Sequence, residues 1–297
     1  MNKNKTKAVL LIICSAFFFT LMNIFVRLSG DLPSVQKSLF RNLVAALVAL
    51  AVVIKDRKNI HIDKKNIPVF LLRSAFGTAG ILCNFYAVDN LLLPNATMLN
   101  KMSPFFVLIF SFFILKEKLR PVQIIAVAVA FAGSMLVVKP TFANAALFPS
   151  LIGLFGGLSA GLAYTMVRIL GTRGERGSVI VLFFSAFSCI AVLPFVILKG
   201  EPMTAKQVLL LVLAGVCAAV AQFAITAAYS NAPGREVSVY DYSQVIFAAV
   251  FGFFIFGDMP DILSFAGYFL IISAALALFI YTNHFAENPK SRPRERR

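Results

Sequence analysis

The chain has 297 residues, 59% hydrophobic and 14% charged, with a net charge of +15. Soluble chains carry about 25% charged residues, so the composition excludes a soluble enzyme and marks an integral membrane protein. The four cysteines (Cys14, Cys83, Cys189, Cys217) lie in apolar runs without metal-ligand spacing, and His61 and His284 lie in polar segments, so neither a metal nor a cofactor is expected.

Ten apolar runs follow in chain order: 8–28, 34–54, 68–88, 94–115, 121–138, 149–171, 178–198, 206–230, 237–257 and 262–281. About 20 residues at 1.5 Å rise cross a hydrocarbon core of about 30 Å. The runs are continuous rather than alternating, which predicts helices and not a barrel. Lys3, Lys5 and Lys7 precede the first run, but it is too long for a signal-peptide core and lacks a small-x-small cleavage site, so a retained helix is expected. The breaks carry turn residues, among them Gly30-Asp31-Leu32-Pro33, Asp89-Asn90 and Asp258-Met259-Pro260-Asp261.

With the N-terminus inside, 19 of the 28 basic residues fall in inner segments and four in outer ones. That bias predicts a cytoplasmic-membrane protein with both termini in the cytoplasm. The basic tail, 290–297, is read as an inner anchor touching anionic lipid rather than nucleic acid.

The chain repeats itself. Phe25-Val26-Arg27-Leu28-Ser29-Gly30 resembles Met166-Val167-Arg168-Ile169-Leu170-Gly171, and the end of the fourth run, Phe112 to Glu117, resembles the end of the ninth, Phe253 to Asp258. One offset of 141 aligns both, and pairs Asn23 with Tyr164, Asn100 with Asp241 and Lys101 with Tyr242. A unit of five helices is odd, so its second copy runs through the membrane in the opposite sense. The expected units are 8–138 and 149–281, followed by the basic cytoplasmic tail 282–297. Inverted repeats with a site near the midplane mark secondary transporters.

Several stretches resemble a known family. Ser103-Pro104-Phe105-Phe106-Val107 through Leu115-Lys116-Glu117-Lys118-Leu119 resembles the fourth helix of the EamA repeat of the drug/metabolite transporter superfamily. Arg41 and Arg73 resemble arginines of its second and third helices, and Tyr240-Asp241-Tyr242-Ser243-Gln244 fits its ninth. The resemblance spans roughly 8–281 and implies a ten-helix, inverted five-plus-five transporter working by alternating access. It also implies a central cavity lined mainly by helices 1, 3, 4, 6, 8 and 9. Members carry amino acids, nucleotide sugars, S-adenosylmethionine, riboflavin and other metabolites. Lys101 is uncommon in that pattern, and Asp258 stands where Glu is usual.

Polar residues inside the runs are the candidate site. A lysine costs about 2.5–3.5 kcal/mol at a membrane centre, which makes Lys101 a functional candidate. By helical rise, Lys101 and Arg41 both lie roughly 10 Å in from the outer side, and Asp241 and Arg73 at matching depth from the inner side. The expectation is a cation pair, Lys101 with Arg41, open to a substrate anion, and a separate Arg73–Asp241 pair. Direct contact of Lys101 with Asp241 is not expected, because their depths differ by about a dozen ångströms. Arg73, Gly77, Gly80 and Asn84 share one helix face, read either as a packing face or as a cavity wall. Asn84, Tyr164, Gln222, Tyr242 and Gln244 are expected to line the cavity. Asn23, Glu117 and Asp258 are assigned gating or structural roles, and Arg27 and Arg168 are expected to snorkel to the interface. No phenylalanine is singled out among the 31.

The reading is therefore an all-α membrane transporter, not an enzyme, moving an anionic or zwitterionic metabolite such as an amino acid or organic acid. A coupling proton, an exchange substrate and a homodimer are all compatible with it. The alternatives are transport of a cationic or nucleoside-like metabolite such as S-adenosylmethionine, and broad efflux of amphipathic compounds.

Overall fold

A computed structural model describes residues 3–55, 62–116, 121–139, 146–231 and 238–287. Glu117, His61 and the tail 288–297 fall outside them, as do the side chains of Thr226, Tyr229 and His284. Among the described residues there is no strand. The helices are α1 (Lys3–Leu28), α2 (Ser34–Lys55), α3 (Ile67–Asn90), α4 (Leu93–Asn100), α5 (Ser103–Leu115), α6 (Pro121–Val138), α7 (Leu147–Thr172), α8 (Gly177–Lys199), α9 (Ala205–Asn231), α10 (Ser243–Phe251) and α11 (Ile262–Glu287).

Nine spans among the described residues are long and apolar enough to cross a bilayer, with α4 and α5 forming one of them. The ninth run is shorter, Tyr240–Phe256. It opens with a 3₁₀ segment, Ser238–Tyr242, and α10 runs on through a π-helical segment, Gly252–Phe256. Large apolar side chains cover the outside: Phe254 is 78% exposed and Leu198 80%. In water such a surface would be an aggregation hazard, whereas lipid tails accept it.

Helix packing follows the repeat. The α1–α9 pair is the repeat mate of the α7–α3 pair, while α2 packs on its own mate α8, and α6 on its own mate α11. The broken span α4–α5 meets its mate α10 through α4. A helix touching its own mate lies on the local two-fold axis, so those contacts mark the seam between the repeats. The symmetry reaches backbone detail: Lys116, which ends α5, and its mate Gly257, which ends the π segment, are both left-handed, at φ 54° and 69°. Glycine adopts that cap at no steric cost.

The fourth span breaks at Lys101-Met102 because of Pro104. Proline has no N–H and its ring crowds the carbonyl four residues back, so Asn100 loses its helical donor. The Phe105 amide turns instead to Met102 O, at 3.0 Å. The freed turn is received by α7. A Cβ on Gly157 would stand 2.6 Å from Leu99 O and 3.3 Å from Asn100 O, and one on Gly161 would stand 2.9 Å from Ser103 O. Two glycines thus let α7 approach the exposed carbonyls. The largest apolar core, including Met98, Leu99, Met102 and Phe105, surrounds this break.

Two faces of the bundle can be named by their residues. Gly30 lies where α1 leads into α2, and Glu175 where α7 leads into α8. On the Gly30 face, Arg27 donates to both oxygens of Asp258, at 2.6 and 3.2 Å, and Leu93 N donates to the same carboxylate at 2.7 Å. The Arg27 guanidinium also lies 4.2 Å from the centre of the Phe256 ring. The expected snorkelling of Arg27 therefore gives way to an ion pair, because Asp258 caps α4 directly beside it. Fully buried Lys37 grips both oxygens of Asp89 at 2.7 Å. Gln36 exchanges two 2.9 Å bonds with the Glu201 backbone, and Gln207 donates to Ser29 O at 3.0 Å. Tyr268 hydrogen-bonds Asn95. Lys139 donates to Asp261, whose carboxyl is held down at about 2 by hydrogen bonds from the Lys139 side chain and from Ser264. On the Glu175 face, Asn66 donates to Glu175 at 2.7 Å and accepts from Arg173 at 2.9 Å.

Candidate functional site

A half-open cavity of about 90 Å³ lies where the two repeats meet. It has room for several waters but is too tight for a metabolite without movement of its walls. Of the expected cavity residues, Asn84, Tyr164, Gln222 and Gln244 line it, together with Lys101, Arg41, Arg73 and Asn23. The α3 stripe of Arg73, Gly77, Gly80 and Asn84 forms one wall in full. Asn84 donates to Asn23 at 3.2 Å, tying that wall to α1. On α9, Gln222 lines the cavity, while Gly215 packs against Val44 and the Phe40 carbonyl of α2. The second and seventh runs also contribute, through Arg41 and Phe184.

The charge pairing differs from expectation. Lys101 Nζ donates to Asp241 Oδ2 at 2.6 Å, and both residues are buried. Asp241 thus belongs to Lys101 and not to Arg73, and Lys101 is not a partner of Arg41. The physical reason lies in the break and the axis. Mates across an in-plane axis sit at equal and opposite depths, so a residue about 10 Å into a core of about 30 Å is only about 5 Å from the midplane. The helix break takes Lys101 out of the regular spiral, and its four-carbon stem spans the remaining gap. The Tyr242 hydroxyl donates to Lys101 O at 3.0 Å, so the pair aligned by the 141 offset meets directly. That bond satisfies a carbonyl next to the break. Asp241 Oδ1 is buried and accepts no hydrogen bond.

Arg73 takes a different course. Its guanidinium runs from α3 over Gly77, one turn deeper into the membrane, and stacks 4.2 Å from the Phe184 ring centre. A Cβ on Gly77 would overlap Arg73 Nη1 and stand 2.8 Å from Phe184 Cε2. Arg41 lies 5.8 Å from the same ring and within electrostatic reach of Arg73. Its Nη1 donates to Asn42 Oδ1 at 2.6 Å, and Asn42 is held by Ser188 at 2.7 Å and Ser38 at 3.1 Å. The Nε atoms of both arginines are buried without hydrogen bonds. Tyr164 lines the cavity within electrostatic reach of Asp241 and of both Arg73 and Arg41.

Phe184 escaped sequence reasoning. It sits in an apolar run like the other phenylalanines, and only the three-dimensional meeting with two arginines distinguishes it. Asn42, which positions Arg41, was legible only as its sequence neighbour.

Chemically, the cavity offers three cations, amides and a phenol, with the Asp241 carboxylate behind Lys101. Phe19, Met22, Ile81, Phe85 and Phe184 supply apolar surface. That combination suits a small polar organic molecule better than a bare ion.

Comparison with known proteins agrees with the architecture. A model of the EamA-like transporter family matches residues 6–139 and again 147–280. The pseudopaline exporter CntI of Pseudomonas aeruginosa is 29% identical over 276 residues, 91% of this chain and 95% of that protein. A riboflavin transporter of Brucella anthropi is 26% identical over 278 residues, 89% and 95% of the two chains. Human solute carrier family 35 member G1 is 27% identical over 265 residues, 83% and 71%. A solved crystal structure shares the fold with a TM-score of 0.67, covering 93% of this chain and 98% of its own at 15% identity. With both halves matched by one family model, and with the exporter and the riboflavin transporter each matched over 95% of their lengths, the chain belongs to the EamA-like transporter family.

Proposed function

We propose that this protein is a secondary transporter that carries an anionic or zwitterionic organic metabolite across the cytoplasmic membrane by alternating access. In this reading the Gly30 face is outward and both termini are cytoplasmic. One observation carries the substrate class: three buried cations, Arg41, Arg73 and Lys101, line the cavity between the repeats, and of these only Lys101 is paired with an acid, Asp241, among the described residues. Buried charge is costly unless compensated, and a substrate carboxylate supplies the missing compensation. Relatives that carry pseudopaline and riboflavin support a small organic substrate. The bonds of the Gly30 face tie the repeats together, so opening that side requires Arg27 to leave Asp258 and Gln36 to leave Glu201.

The test is counterflow of labelled compounds into proteoliposomes. Amino acids and organic acids are compared with S-adenosylmethionine and with an amphipathic cation. The reading expects accumulation of an anionic or zwitterionic compound and loss of its transport in Lys101→Ala. Accumulation of cations alone, or Lys101→Ala transport at wild-type affinity and rate, refutes it. The apolar wall of Phe19, Met22 and Phe85 favours broad amphipathic efflux as the second reading, which expects little effect of Lys101→Ala.

A further inference from the structure

We infer that Arg41 and Arg73 together form a binding site for a doubly negative group, a dicarboxylate or a phosphate monoester, seated beside Phe184. This inference rests on the transporter reading and narrows its substrate class. The Lys101–Asp241 pair is internally neutral. Neither Arg41 nor Arg73 has a carboxylate partner among the described residues, and a guanidinium stays charged at physiological pH. The site therefore carries two positive charges that the protein leaves uncompensated.

Direction separates this from packing. An arginine near a helix end lowers its cost by snorkelling to the nearest interface. Arg73 stands near the start of α3 yet turns inward, over the surface that Gly77 leaves bare. Arg41 is pinned through Asn42, itself bonded to Ser38 and Ser188, which fixes one nitrogen and leaves Nε without a protein acceptor. Phe184 stacks against Arg73 and holds its plane. Two oriented, desolvated guanidiniums match a dianion, because each planar fork binds an oxyanion in a bidentate manner. A monoanion leaves one positive charge unbalanced.

The test is binding rather than transport, so it can fail while transport of a monoanionic metabolite still stands. Purified full-length protein in detergent is titrated at matched ionic strength with succinate, its monoanionic analogue succinamate, phenyl phosphate and inorganic phosphate, and thermal stabilisation is followed. At least one dianion is expected to bind about tenfold more tightly than succinamate, the worth of one charge-assisted pair. Succinate binding identifies a dicarboxylate site; binding of phenyl phosphate or phosphate identifies a phosphoryl site. Arg41→Gln and Arg73→Gln are each expected to lose about tenfold in that affinity. Both should melt no lower than wild type without ligand, because an unpaired buried charge has been removed. Gly77→Ala, which displaces the Arg73 guanidinium, provides an independent variant and is expected to weaken the dianion in the same way. No dianion binding more tightly than succinamate, no shift with any dianion, or undiminished dianion binding in Arg73→Gln overturns the inference.

Discussion

Lys101 and Asp241 join the two halves of the protein through one buried contact of 2.6 Å, one residue removed from exact repeat partnership. The contact bridges the two repeats beside the Tyr242–Lys101 hydrogen bond between exact repeat mates. Removing one member strands a buried charge, which costs about 3–5 kcal/mol, whereas removing both together is near neutral. Lys101→Met and Asp241→Leu are therefore each expected to lower stability strongly. The double variant should recover most of the loss. Thermal unfolding in detergent checks this; additive losses in the double variant would show that the two residues do not act as a pair.

Much of this fold was legible because membrane constraints are coarse and repeated. The apolar runs located the helices, and the 141 offset matched Lys101 to Tyr242, which hydrogen-bond in the structure. The α3 stripe was legible because helical spacing puts Arg73, Gly77, Gly80 and Asn84 on one face. Partner choice was not legible. Depth counted along straight backbones missed the break made by Pro104 and the reach of a lysine side chain, so Asp241 was matched to Arg73. The Lys37–Asp89 and Arg27–Asp258 pairs were hidden for another reason. Their members sit at run ends, where sequence cannot separate a solvated loop charge from one folded back into the bundle.

The approach of α7 to the broken span makes a contrast between two glycines of one helix. At Gly157 an added methyl would lie 2.6 Å from Leu99 O, while at Gly171 nothing lies within 4 Å. Gly157→Ala must push backbone against backbone, an overpacking cost of about 1–3 kcal/mol. Gly171→Ala gains up to about 1 kcal/mol of helix propensity. Melting temperatures should move in opposite directions, and a shared sign would refute the close packing of α7 on α4.

Asp261 combines two roles at the start of α11. Its side chain accepts from Ser264 N at 3.1 Å as a helix cap, and from Lys139 at 2.6 Å. Its carboxyl is held near 2, below the unfolded value of about 3.9. A depressed acid contributes fully above the unfolded value, and its contribution disappears as pH falls toward 2. Carboxyl-carbon NMR should therefore give a midpoint well below 3 in the wild type, moving up in Lys139→Met. Asp261→Asn keeps a cap and is expected to cost little, whereas Asp261→Ala costs about 1 kcal/mol.

Arg27 and Asp258 should respond unequally to substitution, because their surroundings differ. The Asp258 side chain is 3% exposed and that of Arg27 is 24% exposed. Removing the carboxylate charge in Asp258→Asn leaves Arg27 near the membrane face, where it can turn to water or lipid headgroups. The amide oxygen can still accept from Leu93 N. The expected loss is about 1 kcal/mol, within the range of partly exposed pairs. Arg27→Met instead strands a buried carboxylate that only the Leu93 amide addresses, and the expected loss approaches about 3 kcal/mol. Both variants weaken the tie across the Gly30 face, so a thiol-reactive probe applied from that side should label the cavity residue Ala163→Cys faster than in the parent background. Equal losses of stability in the two variants would mean that Asp258 reaches solvent. Unchanged labelling would mean that this pair does not hold the face shut.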